Sequence, residues 1–470
     1  MKLFRTALIA AIVLACCGFA YWYFEVKERK EKQQEALKEA RLFEETEAPV
    51  EKLVIRNEGE EIVMERIVPE QQAPGRGEDE DCQWIITSPV QTRGDRYAAD
   101  AVISAIKGAK REDVVYDSLE KQKEYGLDEP SSSLRFYLSG DERPHGIDFG
   151  IESLDGTKVF AKTVGKHSIV SVPVELKNGM IKSLFDLRDK ALAHFKAEDV
   201  VEISYISSRG AFLLHREDDQ WYLMPDRVKA SNTRVEMYTG TLIYDHFVEV
   251  VEEKADAAAR YGLMSPRLIV SFTLKNGTDY LFLAGDSVKR GDKEYFYATR
   301  STDRIVFQVK SEVVAGLART AFDMRDRRIF DFEDKEVTGL ILTRSAPGKD
   351  RERIALIREE EEWRFQDTGE TVERDYMVDG IVRGIKNAEY EEREPVMRGE
   401  KGWQATGIEN PVFETVFTFG SGRPPLTVQM TAVDEQTKMM WISPDGGDTA
   451  YYTTGYFMSV FPSDRKALLE

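Results

Sequence analysis

Apolar and polar positions along the chain fall into three patterns. The first is an unbroken apolar run from Thr6 to Phe24, 19 residues without a charge, with Lys2 and Arg5 before it and Glu25, Lys27, Glu28, Arg29 and Lys30 after it. At about 1.5 Å per residue such a helix spans a hydrocarbon core of roughly 30 Å. Residues 1–24 are therefore predicted to be an N-terminal transmembrane anchor, with Tyr21, Trp22, Tyr23 and Phe24 as its interfacial aromatic belt. Residues 25–47 are rich in Glu, Lys, Gln and Ala and lack Gly and Pro, which predicts a solvated helical stalk.

The second and third patterns, strand-like alternation and helical periodicity, recur together. Trp84, Trp221 and Trp363 each lie in an alternating stretch, with Ile86, Leu223 and Phe365 two positions on. Fourteen residues after each Trp a helical period begins: Ala98, Ala101, Val102, Ala105, Ile106 and Ala109; then Val235, Tyr238, Leu242 and Ile243; then Met377, Ile381, Ile385 and Ala388. Glycine follows each Trp by 42, 41 and 44 residues, with proline four positions later: Gly126 and Pro130, Gly262 and Pro266, Gly407 and Pro411. Glycine permits positive φ and proline stops a helix, so these are turns, and β-branched runs follow each one. The first two units close on Phe185-Asp186-Leu187-Arg188-Asp189 and Phe322-Asp323-Met324-Arg325-Asp326, and Phe461 to Lys466 reads as a degraded third close. The fold expected is α+β, three tandem divergent units with antiparallel sheets at 48–195, 196–332 and 333–470.

Charge and composition narrow the function. The 84 acidic residues against 65 basic ones give a net charge of −19, which repels phosphate backbones and argues against nucleic acid. Cys16 and Cys17 lie inside the apolar run, leaving Cys82 alone beyond it, so no disulfide or thiolate metal site is expected in the soluble part. The five histidines are scattered singly, without metal-ligand spacing. Val13-Leu14-Ala15-Cys16 loosely resembles a lipobox, but the apolar run continues past it, and a transmembrane span is the preferred reading. A count of flanking Lys and Arg leans toward a cytoplasmic soluble part; the export-signal order of basic stretch then apolar run, together with the readiness of long domains to translocate, favours an extracytoplasmic one.

The Trp strand, the Tyr125-Gly126-Leu127-Asp128-Glu129-Pro130 turn, the strands ending at Gly150 and Gly285, and the Leu/Met-Arg-Asp close resemble the bacterial family named domain of unknown function 4340. The resemblance covers residues 50 to 332 well and the third unit poorly, where the turn loses Tyr and Asp. It implies one N-terminal helix in the inner membrane, a periplasmic soluble part and, for some members, association with ABC-type transport systems labelled gliding-motility auxiliaries. It implies no catalytic residues and no cofactor.

Candidate chemistry reduces to a few motifs. Gly285-Asp286-Ser287 could be a hydrolase nucleophile, but the matching position in the first unit is a loop after a strand, with no His or Asp fixed to it. Arg188-Asp189 and Arg325-Asp326 recur in register, and a folding motif that caps the terminal helix and joins it to the next unit's first strand is preferred over a ligand-binding arginine. The three tryptophans read as core rather than as a sugar platform. The acidic tract Glu78 to Asp81 lacks the spacing of a calcium loop. No catalytic, cofactor or metal residues are expected. The function expected is a non-catalytic accessory or scaffold of an envelope ABC-type transporter, acting through a permease or auxiliary subunit. The alternative is a glycan-binding protein or hydrolase with its site between units.

Overall fold

The computed structural model describes residues 22–23, 39–67, 83–254, 259–345, 351–391, 393–420, 422–444 and 447–469. Apart from Trp22 and Tyr23, the expected anchor lies outside the described residues, as do the first part of the stalk, the acidic tract and Cys82. Among the described residues no helix is long and apolar enough to cross a membrane. The expected stalk helix does not run to Glu47: it ends at Ala40, and Leu42 is buried in the first core while Phe43 packs edge-on against Phe136. An apolar pair at the end of a charged stretch is drawn into the nearest core because burying each side chain contributes about 1.5–3 kcal/mol.

The alternating stretches form three antiparallel sheets, a sheet-rich α+β architecture. The first contains β1 (Val50–Asn57), β2 (Glu60–Ile67), β3 (Gln83–Ser88), β4 (Thr92–Arg93), β5 (Asp113–Tyr116), β6 (Ser132–Leu138), β7 (Asp141–Glu152), β8 (Lys158–Thr163) and β9 (Ile169–Pro173). Its order is β4-β3-β2-β1-β6-β7-β8-β9-β5. Helix α1 (Arg96–Gly108) lies between β4 and β5 in the chain, and α2 (Val174–Met180) and α3 (Leu184–Leu187) follow β9. Alternation decides which face is buried: Leu53 and Ile55 on β1 stand opposite Met64 and Ile62 on β2, and all four are fully buried. Val102, Ile106 and Ala109 are buried as expected and Ala98 and Ala105 pack against the same core, while Ala99 is buried in addition and Ala101 is exposed.

The second sheet repeats the pattern with β10 (Val200–Ser207), β11 (Gly210–Glu217), β12 (Gln220–Met224), β13 (Val228–Lys229), β14 (Glu249–Glu252), β15 (Leu268–Leu274), β16 (Asp279–Arg290), β17 (Lys293–Arg300) and β18 (Val306–Lys310). Helix α4 (Asn232–Tyr244) precedes β14, and α5 (Ser311–Leu317) and α6 (Ala321–Met324) follow β18. The third has β19 (Val337–Arg344), β20 (Glu352–Glu359), β21 (Glu362–Phe365), β22 (Val396–Met397), β23 (Phe413–Phe419), β24 (Leu426–Met430), β25 (Met439–Pro444) and β26 (Thr449–Thr454). Helix α7 (Asp375–Lys386) lies between β21 and β22, and α8 (Trp403–Thr406) follows β22. The third order, β21-β20-β19-β23-β24-β25-β26-β22, matches the first with β4 missing.

The described residues divide into two compact units, one up to Arg216 with Glu236–Thr320, the other Glu217–Val235 with everything from Ala321. The first unit holds the first sheet and the run β11-β10-β15-β16-β17-β18-β14 of the second. The second unit holds the paired strands β12 and β13 and the third sheet.

Candidate functional site

The chain after α3 is extended, and its backbone is stitched on both sides. The Asp95 N–H donates to the Leu187 carbonyl at 2.7 Å and the Asp189 N–H to Arg93 at 3.0 Å. Two residues on, the Phe247 N–H donates to the Lys190 carbonyl and the Leu192 N–H to Asp245, each at 3.0 Å. The same four bonds recur after α6: Ser231 to Met324, Asp326 to Lys229, Tyr390 to Arg327 and Ile329 to Ala388, at 2.9 to 3.1 Å. Each closing segment is thus a clasp between the strand entering one helix and the residues leaving the next. These bonds fix the correspondence of the two clasps residue by residue: Gly94 with Ala230, Ala98 with Arg234, His194 with Asp331, His246 with Glu389.

Arg188 and Asp189 bond different partners, as adjacent residues on an extended chain must. The Arg188 guanidinium is 1 % exposed and donates through Nη2 to Glu253 at 2.7 Å, just past β14, so it reaches the second sheet at β14 and not at its first strand. Asp189 turns back and accepts from the Ala191 N–H at 2.9 Å. At the second clasp Arg325 pairs with Glu394, and Asp326 accepts from Arg328 at 2.7 Å. The third close is not at Phe461 to Lys466. The Leu468 carbonyl, in a 3-10 turn at Lys466–Leu468, accepts the Arg374 N–H at 3.1 Å as Leu187 and Met324 accept theirs, and Leu469 stands where the others have arginine.

At the first clasp the walls leave a cleft of about 310 Å³ lined by Trp84, Arg93, Arg96, Tyr97, Lys190 and His246, with Gln83, Asp95 and Asp189 beside them. Behind Ala191 and Leu192 is a buried ionic node. Arg300 forks onto Asp303 at 2.6 Å and 3.1 Å, donates to the carbonyls of Ala191 and Leu192, and is stacked over Phe247 and Phe307. His194 lies 3.6 Å from Asp189. Burial pushes its imidazole below the ordinary value and the positive charges of Arg93 and Arg300 add to that, outweighing the opposing pull of Asp189.

The second clasp is closed by its own side chains. Arg234 donates to the Arg325 carbonyl at 3.0 Å and pairs with Glu389. Gln220 Nε2 bridges the Trp221 and Ala230 carbonyls at 2.8 Å each and reaches Asn232, whose own amide bonds Asp219. At the corresponding positions of the first clasp are Ala98, His246 and Arg96, which cannot make these bonds.

The other recurrent residues build the fold. Gly126, Gly262 and Gly407 have φ of +65°, +71° and +70°, and Pro130, Pro266 and Pro411 each stand two residues before the strand that follows. Gly150 and Gly285 do not end their strands, since β7 and β16 run on to Glu152 and Arg290 past a shift in register; a Cβ there would lie 2.0 and 2.1 Å from the carbonyls of Tyr125 and Tyr261, so strand and turn pack backbone to backbone. That accounts for Gly285-Asp286-Ser287, where Asp286 pairs with Arg267 at 3.5 Å and Ser287 is laddered against Phe296. Trp84, Trp221 and Trp363 are all buried, and the Trp363 indole donates to Asp379 at 3.0 Å.

Sequence reasoning singled out Trp84 and the close from Phe185 to Lys190, but not Arg93, Arg96, Tyr97 and His246 as their neighbours, because these come from separate segments. The signal available was the exchange of Arg234 for Ala98 between otherwise matching helices. A family model described as Domain of unknown function (DUF4340) matches residues 84–242 and 244–393. The second match runs past 332, taking in β19 to β21 and α7. No curated protein matches the chain.

Proposed function

The chain belongs to the DUF4340 family, and from that premise we propose that it is a single-pass protein of the bacterial inner membrane, anchored through residues 6–24. Its soluble part is periplasmic, consists of three tandem copies of one α+β unit, and serves as a non-catalytic accessory or scaffold of an ABC-type transport system. The observation that carries this reading is the occupation of the recurrent polar residues: Arg188, Asp189, Arg325 and Asp326 are spent on clasps within the chain. Residues that recur in register in the first two copies and bond within the chain are what a folding unit requires, which suits a protein that works through its surface. The strands of each sheet also fall inside one of the intervals 48–195, 196–332 and 333–470. The uncharged run from Thr6 to Phe24 supports the anchor.

A second reading, a glycan-binding protein or hydrolase, draws on the first cleft, where the exposed ring of Tyr97 stands near two carboxylates. Asp95 and Asp189 each already accept backbone N–H bonds, which weighs against a catalytic pair. Crosslinking in native membranes followed by mass spectrometry separates the two. Recovery of a permease or its auxiliary subunit is expected; a protein recovered alone that retains a sugar or turns over an envelope substrate would replace the accessory reading with the second.

A further inference from the structure

The first cleft differs from its counterpart in what its walls leave unsatisfied. Asp95 is the N-cap of α1, and its carboxylate accepts the N–H groups of Tyr97 at 2.8 Å and Ala98 at 3.2 Å, so the helix end is already capped from within. Asp189 accepts the Ala191 N–H. On the cationic side, Lys190 Nζ donates to the carbonyls of Asp186 and Arg188, at 3.1 and 3.2 Å, and its charge acts on the nearby Asp186 carboxylate without a direct ion pair among the described residues. Arg96 faces Asp100 at the long distance of 3.6 Å, and Arg93 makes no ion pair among the described residues. Arg93, Arg96 and Lys190 thus place three cations in the lining against Asp95 and Asp189, whose carboxylates are already engaged by backbone N–H groups.

We propose that this cleft binds a small organic monoanion carrying a carboxylate, held by Arg93, Arg96 and Lys190 with its apolar part toward Trp84 and Tyr97. The size fits, since 310 Å³ lies at the lower end of the roughly 300–1,000 Å³ typical of small-molecule sites. The sign fits as well: the three cations suit a carboxylate, while Asp95 and Asp189 would repel a dianionic phosphate. The second clasp supplies the internal contrast, because there the residues matching Ala98 and His246 are Arg234 and Glu389, which form an ion pair. The inference goes beyond the accessory role and does not rest on it.

The test is calorimetric titration of the full-length protein in detergent with benzoate, with benzamide as its neutral isostere, and with inorganic phosphate, each against a micelle blank. Benzoate should bind and the other two should not. Arg93→Gln with Lys190→Gln should weaken benzoate about tenfold or more, the loss expected when charge-assisted hydrogen bonds are removed. Ala98→Arg with His246→Glu, which copies the closed clasp, should abolish binding. Equal affinity for benzamide, benzoate binding unchanged by the charge substitutions, or no binding by any of the three would overturn the proposal. The benzamide comparison needs only the unsubstituted protein, so it decides even if a variant fails to fold.

Discussion

The two clasps share one backbone frame and differ in their filling. Four corresponding hydrogen bonds hold each closing segment, and in each an arginine reaches a glutamate beyond the next helix. Yet Arg188 is buried while its second-clasp counterpart Arg325 is partly exposed, and the position of Arg234, which bonds across the second clasp, is held by Ala98 in the first. Backbone pairing therefore sets where the segments meet, and single side chains decide whether the meeting place is closed. The first cleft lies against the very segments these bonds join, so a recurrent frame can carry a cavity in one copy while its backbone pairing persists.

The largest effect expected is at Arg188. Removing it with Arg188→Ala takes away a charge-assisted bond and buried packing, and should destabilise the first clasp by about 2–3 kcal/mol. A chain of several sheets need not unfold in one step, so the quantity to follow is the local opening free energy from native-state hydrogen exchange of peptide 186–195. Equal protection in variant and parent would break the comparison. A smaller loss, about 1–2 kcal/mol, is expected for peptide 323–332 on Arg234→Ala, because that side chain and Glu389 keep partial access to water. The same substitution should make the second clasp accessible to small solutes, as the first already is.

The smallest effect is pH dependence confined to one clasp. His194 is harder to protonate in the fold than in the unfolded chain, so its contribution is complete above the ordinary imidazole value of 6.5 and is lost as pH falls from there toward its lowered folded value. Its counterpart in the second clasp is Asp331, so no imidazole stands there. Exchange protection of peptide 186–195 should weaken between pH 7 and 5 while that of 323–332 holds, and His194→Gln should remove the difference. Matching pH profiles would show that the node around Arg300 and Asp303 does not govern this clasp.

Much of the architecture was legible because it depends on local pattern. Alternation around the three tryptophans placed strands, and glycine followed by proline placed the turns. Most of the α1 face was read from its period, at Val102, Ile106 and Ala109; Ala99 was missed and Ala101 included because a single methyl carries little of the periodic signal. The third close was misplaced because Phe461 resembles Phe185 and Phe322, while the defining property is a carbonyl at Leu468 that no residue type announces. Leu42 was read as stalk because its neighbours are charged. The cleft was illegible for a further reason: its charges are meaningful only once residues near 95, 190 and 246 are together, and no segment alone differs from a solvated surface.

The claim beneath all of this is that the recurrent arginine is a joint of the fold. A double-mutant cycle of Arg188→Met and Glu253→Gln, read as the opening free energy of peptide 186–195, tests it most directly. A coupling of about 1–2 kcal/mol between the two positions is the predicted result. Additive losses with no coupling would mean that the pair 2.7 Å apart contributes nothing to holding the sheets' connection, and that Arg188 is kept for another purpose.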